Sequence, residues 1–334
     1  MNYEEFKEYL IKNIAGAYAD MIISEQVKFN GTIDNEEIEK IKSCEVVTRS
    51  VLKNNGVKMD VLSIYREGEQ VSPNIYLRPY YEKYILGMPT DMIMTEIISQ
   101  YRNELKGTEV LHSPDLSDYD DVKDKIIVRL INKARNKEML DDCPHLEYLD
   151  LAIVFRYVVT EDKNGMATIL IGDREFESWG ITLDELYQQA LSNTVNMYPY
   201  VLEPLQDIVL SELEGKEEQL PEEIKEEVEL LKSLAPQVKM YVLTNVCKAF
   251  GASVILYNDV IRNIAKVNDC NIFILPSSVH ESMIVLEHDD TDPKFLKELL
   301  VDANRSSVGL LDLLGDNIYY YDRKDDCISV YDAA

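Results

Sequence analysis

Apolar side chains recur at every fourth position near the start of the chain, at Phe6, Leu10, Ile14 and Tyr18, which predicts an amphipathic helix over residues 3–20. From Cys44 to Leu52 the pattern loosens towards alternation, breaks at Lys53-Asn54-Asn55-Gly56, and resumes from Val57 to Tyr65. Asn-Gly between two such runs predicts a hairpin, because both central residues of the favoured turn take positive φ. A helix is expected from Thr90-Asp91 to Lys106-Gly107. The polar stretch from Gly107 to Asp121, with Pro114 and four aspartates, then marks a boundary. It divides the chain into an N-terminal α+β region, 1–110, and a C-terminal α+β domain, 120–334.

Beyond the boundary, residues 125–130 read as a strand and 132–140 as a short helix. Strands are expected at 149–160 and 166–172, joined by a second Asn-Gly turn at Asn164-Gly165. Thr182 and Glu185 form a capping box that opens a helix to Asn193. A Glu-rich stretch, 212–237, is bracketed by Pro221 and Pro236 and keeps an apolar stripe at Ile224, Val228 and Leu231, so a charged helical insertion is expected there. Strands follow at 240–244, 253–257, 272–275 and 283–286, with helices at 259–267 and, after the Asp292-Pro293 start, to Asn304. A terminal hairpin, 317–321 with 327–331, turns at Arg323 to Asp326. A strand–strand–helix order recurs around 44–106, 149–194 and 253–304, as a quasi-repeat. Hairpins interspersed with helices, without a βαβ rhythm, predict the α+β class.

Composition sharpens this picture. A hydrophobic content of 46% supplies a core, and 61 acidic against 34 basic residues give a net charge of −27. Such a field repels phosphate backbones and anionic membrane surfaces, and no basic stripe offsets it, so neither nucleic acid nor membrane is expected as a partner. The five cysteines are scattered, with no Cys-x-x-Cys pair, which excludes a zinc ribbon and disfavours a disulfide framework. The opening residues lack the basic start and apolar run of a secretory signal, so a cytoplasmic location is expected.

Candidate chemistry is sparse. No Gly-x-Gly-x-x-Gly or Gly-Lys-Ser/Thr motif is present, and no cofactor is expected. Of the four histidines only His280 and His288 are near neighbours, and their spacing does not match a metal-binding helix, so no metal is expected. Ser278 and His280 share one short turn between apolar strands. Triad members usually come from separate elements, so the hydroxyls are read as satisfying local backbone groups. Tyr80, Tyr81 and Tyr84 fall on one face of a helical turn starting at Pro79, suited equally to core packing and to an interface. Trp179, just before Gly180, packs at a helix start or lines a ligand. The candidate binding residues are therefore Tyr80, Tyr81, Trp179, Ser278 and His280, and no catalytic residue is assigned. The expected function is non-enzymatic binding or regulation, directed at another protein or a small-molecule ligand. The alternative is a hydrolase with a site near Ser278 and His280.

Several stretches also carry a resemblance: Val51-Leu-Lys-Asn-Asn-Gly-Val57, Ile75-Tyr-Leu-Arg-Pro-Tyr-Tyr-Glu82, Leu149-Asp-Leu-Ala-Ile-Val154, Ala167-Thr-Ile-Leu-Ile171, Trp179-Gly-Ile-Thr182, Met240-Tyr-Val-Leu-Thr-Asn245 and Phe273-Ile-Leu-Pro-Ser-Ser-Val-His-Glu281. In order and over nearly the whole chain they resemble the domain-of-unknown-function family numbered 5688, of gut Clostridia and related Firmicutes, in which the insertion at 212–237 is shorter. The resemblance implies a bacterial cytoplasmic protein and no particular activity, cofactor or catalytic residue.

Overall fold

The computed structural model describes residues 1–28, 35–65, 72–108, 115–162, 165–213 and 240–332. The chain forms two compact units, one of residues 1–53 and 57–115, the other of residues 54–56 and 116–334.

In the first unit the four-residue apolar spacing builds α1 (Tyr3–Lys28), which buries Phe6, Leu10, Ile14 and Tyr18 along one side. The short α2 (Asn35–Lys42) precedes a hairpin of β1 (Glu45–Leu52) and β2 (Lys58–Tyr65), paired antiparallel out to Leu52 with Lys58. Asn55 and Gly56 take φ of +60° and +69°, as the Asn-Gly signal requires. A two-residue strand β3 (Ile75–Tyr76) adds to β2, followed by α3 (Arg78–Ile85) and α4 (Thr90–Thr108). Leu62, Ile64, Ile75, Ile93, Ile97 and Tyr101 meet the α1 stripe in one core.

The second unit begins with α5 (Tyr119–Val122), β4 (Ile126–Asn132), α6 (Lys137–Leu140), β5 (His145–Tyr148), β6 (Leu151–Asp162) and β7 (Gly165–Leu170). These strands form a four-stranded antiparallel sheet in which β6 pairs with β4, β5 and β7. After α7 (Asp173–Trp179) and α8 (Leu183–Met197) come β8 (Tyr200–Pro204), α9 (Leu205–Leu213), β9 (Met240–Asn245), α10 (Val260–Asn268), β10 (Ile272–Leu275), β11 (Ser282–Leu286), α11 (Pro293–Ser306), β12 (Tyr319–Asp322) and β13 (Cys327–Val330). The second sheet is six-stranded and antiparallel, in the order β13-β12-β10-β11-β9-β8. Two open antiparallel sheets with helices between and beside them make this an α+β fold.

The main core lies between the sheets. Ile126, Val128 and Leu130 of β4 and Ile153 and Phe155 of β6 pack with Ile272, Ile274, Ile284 and Tyr319 of the second sheet, and with Leu186 and Ala190 of α8. On the far side of the second sheet Phe273, Leu275 and Val285 pack against Leu296 and Leu300 of α11. Both expected helix starts are made as read. Thr182 Oγ1 accepts the Glu185 N–H at 3.2 Å while Glu185 returns to the Thr182 N–H at 2.8 Å, and Asp292 accepts the Lys294 N–H at 2.9 Å.

One expected strand is absent. Residues 251–256 form a 3₁₀ turn, not the strand expected at 253–257, so the third expected strand–strand–helix unit does not start there. All six residues are buried, and a segment enclosed on every side loses the polar alternation that separates strand from helix. The helix expected over 132–140 is confined to α6. The turn residues 163–164 and the charged insertion, apart from the end of α9, lie outside the described residues.

Candidate functional site

Three strand connections of the second unit meet around His280. The β10–β11 connection, 276–281, is bound to the 312–315 segment: the Val279 N–H donates to Asp312 O (2.7 Å), the Leu314 N–H to Ser277 O (2.9 Å) and the Gly315 N–H to Pro276 O (2.8 Å). On its other side Ala252 N–H donates to Val279 O and the Thr244 hydroxyl to His280 O at 2.8 Å. The backbone there is so close that a Cβ on Gly251 would lie 2.6 Å from His280 O and 2.7 Å from the Asn245 nitrogen, so only glycine fits.

Within this frame Ser278 and His280 are neighbours without being partners. The buried Ser278 Oγ accepts the backbone N–H of His280 at 3.1 Å. The imidazole faces elsewhere. Its Nδ1 accepts the Phe250 N–H (3.2 Å), which leaves the proton on Nε2, directed at Asp312 Oδ1 (3.3 Å). Serine, histidine and aspartate are thus adjacent, yet neither ring nitrogen addresses the hydroxyl, as nucleophile activation requires.

Phe250 extends the site inward. It sits in the left-handed region at φ +55°, as does Lys248 at +52°, so the loop after β9 holds two strained non-glycine residues. That conformation sets the Phe250 N–H on His280, and places its ring 5.1 Å from the imidazole and 3.1 Å from the guanidinium carbon of Arg129. Arg129 lies on β4, whose seven residues are all buried, on the face opposite Val128 and Leu130. It is 7% exposed. Among the described residues its Nη2 bonds only the Met166 sulfur, at 3.4 Å, and Nε has no hydrogen-bond partner. Burial, reinforced by the charge of Arg156, pushes Arg129 well below the usual guanidinium range.

Among the described residues no carboxylate bonds Arg129. Glu161 is committed to two other donors, the Tyr198 hydroxyl at 2.9 Å and the Cys247 thiol at 2.9 Å. Burial and then the bond to Glu161 push the Cys247 thiol up to about 11, so it stays protonated at neutral pH. Arg156 shares the Arg129 face, since it pairs with Ile127 across the ladder. It donates to Thr168 Oγ1 (2.8 Å) and Thr168 O (3.2 Å), and burial pulls it down to about 10.

A scan against family models matches residues 3–323 to the family of unknown function DUF5688. The chain belongs to that family. No curated protein and no solved structure matches it. The DUF5688 match covers the site and the N-terminal helix alike, so Arg129, Phe250 and His280 all lie within the family region.

The other candidate residues lie elsewhere. Tyr80 is buried in the first unit's core, its hydroxyl on Gln100 Oε1. Tyr81 packs its ring on Tyr3 and Phe6, with centroids at 4.9 and 5.4 Å. Trp179 ends α7, donates Nε1–H to Leu116 O at 2.8 Å and packs beside Tyr119. Of the five residues, only Ser278 and His280 are brought together. Arg129, Phe250 and Tyr198 were not singled out from the sequence. The available signal was one charge inside the apolar run Ile126 to Ile131. Among the described residues no group of three or more His, Cys, Asp or Glu converges as a metal site would, and no helix is long and apolar enough to cross a membrane.

Proposed function

We propose that the protein is a non-enzymatic binding protein of the cytoplasm, with its ligand site along the row His280, Phe250, Arg129. The observation that carries this reading is the engagement of both imidazole nitrogens away from Ser278. The Nδ1 lone pair is taken by the Phe250 N–H and the Nε2 proton points at Asp312, so the imidazole is not placed to accept the serine proton. The buried Phe250–Arg129 pair beneath the strained loop after β9 supports a binding role. The cytoplasmic location is supported by the five cysteines, all of them free.

A serine-directed fluorophosphonate tests the reading. The native protein is expected to remain unlabelled at neutral pH, as is the Ser278→Ala variant. Stoichiometric labelling at Ser278 that disappears with His280→Ala would replace binding with the alternative, a hydrolase acting through Ser278 and His280.

A further inference from the structure

We infer that the ligand is a small carboxylate, bound in the plane of the Arg129 guanidinium in place of the Met166 thioether; this rests on the binding reading. Five buried side-chain polar atoms among the described residues lack a hydrogen bond, and Arg129 Nε is the one that belongs to a charged group. A buried guanidinium cannot escape its desolvation by losing its proton as a lysine can, so it calls for an anion. Its present acceptor, the Met166 sulfur, is among the weakest a side chain offers and sits on a flexible stem.

The geometry selects among anions. The Phe250 ring covers one face of the guanidinium, and its in-plane Nε–Nη2 edge is shut from solvent beside Met166, so a partner bonds that edge by displacing the thioether. That edge presents two parallel N–H groups, matched by the two oxygens of a carboxylate. Charge points the same way. Arg129 and Arg156 supply two positive charges, and Glu161, held by Tyr198, supplies a nearby negative one. The Tyr198 hydroxyl lies 3.9 Å from the Met166 sulfur that the ligand displaces. A monoanion brings the net charge of that set to zero, whereas a phosphate dianion leaves it negative.

The test is thermal denaturation of the full chain at constant ionic strength in buffer free of carboxylate and phosphate, with benzoate, acetate, phosphate or neutral benzamide added. The melting temperature is expected to rise with the logarithm of benzoate and acetate concentration and to ignore benzamide. In Arg129→Met the response vanishes. Arg129→Lys keeps the charge without the planar fork, and needs about tenfold or more carboxylate for the same shift, the worth of one charge-assisted hydrogen bond. Met166→Ala, which frees the edge, responds at lower concentration than the native protein. A flat native response to both carboxylates, an equal response to benzamide, an unchanged response in Arg129→Met, or a response to phosphate alone would each overturn the inference. With Ser278 unlabelled by fluorophosphonate, any of these leaves the binding reading intact; labelling there removes the reading itself.

Discussion

Two clusters of the second unit treat buried positive charge in opposite ways. Around Asp316 the cations meet a carboxylate: Arg135 Nη2 donates to Oδ2 at 2.6 Å, Asn304 to Oδ1 at 2.9 Å, and Lys297 bonds the Asp316 carbonyl and, at 2.9 Å, Asn317 Oδ1. This cluster is half open to water and electrostatically closed. Around Arg129 the burial is deeper and no carboxylate among the described residues bonds it, Glu161 accepting instead from Tyr198 and Cys247. The first arrangement is what a structural ion pair looks like. The second leaves a cation with a sulfur and an aromatic ring for company, at a cost that has no structural return. Depth of burial alone therefore does not mark a functional arginine. Burial together with the absence of a bonded carboxylate among the described residues is what supports the role proposed for Arg129.

The largest effect expected on this comparison is at the backbone that holds the Arg129 side in place. Gly251→Ala drives a Cβ into His280 O and the Asn245 nitrogen, neither of which is the free end of a side chain, and should cost about 3 kcal/mol or more. Denaturant unfolding measures it; a loss under about 1 kcal/mol would mean that the two backbones can separate.

A smaller effect is expected in the closed cluster. Partial burial raises the Asp316 carboxyl, but the hydrogen bonds from Asn304 and Arg135 and the charges of Arg135 and Lys297 outweigh it and hold the group below its ordinary value. A lowered carboxyl stabilises the fold fully above the ordinary value of 3.8, and that stability is lost as pH falls through the lowered one. Asp316→Asn should therefore cost about 1 kcal/mol near neutral pH, since the pair is half exposed, and progressively less in acid. Urea midpoints of both proteins along a pH series check the trend. A cost that grows in acid contradicts the assignment.

Smaller still is Ser278→Ala, which removes one acceptor from a backbone N–H and should cost about 1 kcal/mol or less. A change of several kcal/mol would show that the hydroxyl supports more of the turn than the His280 N–H. The smallest effect is expected for deletion of residues 214–235, which should leave a cooperative melt close to that of the intact chain. Loss of that melt would make the insertion part of the core.

Much of the fold is legible in the sequence where one physical signal decides it. The stripe from Phe6 to Tyr18, the Asn-Gly turn at 55–56 and the caps at Thr182 and Asp292 each depend on residues within a turn or two of one another. Elements set by tertiary enclosure are not legible in that way. The fully buried 251–256 segment has no periodicity to read, and β8, ending in Pro204, is an edge strand recognisable only beside β9. The site divides along the same line. Ser278 and His280 stand out because they are adjacent, and adjacency proves to be a local hydrogen bond. Arg129 shows only as a charge in an apolar strand, since Phe250 and Met166 reach it from distant parts of the chain and the missing carboxylate leaves no mark in the sequence.

The central claim, that Arg129 is a buried cation bonded to no carboxylate among the described residues, is tested most directly by the stability of Arg129→Met in buffer free of carboxylate and phosphate. The account predicts that the denaturation midpoint rises, by an amount equivalent to about 1–4 kcal/mol, as when buried charges give way to apolar side chains of similar volume. A fall of about 3–5 kcal/mol, the loss that follows when one partner of a buried ion pair is removed, would contradict it and make Arg129 a structural residue.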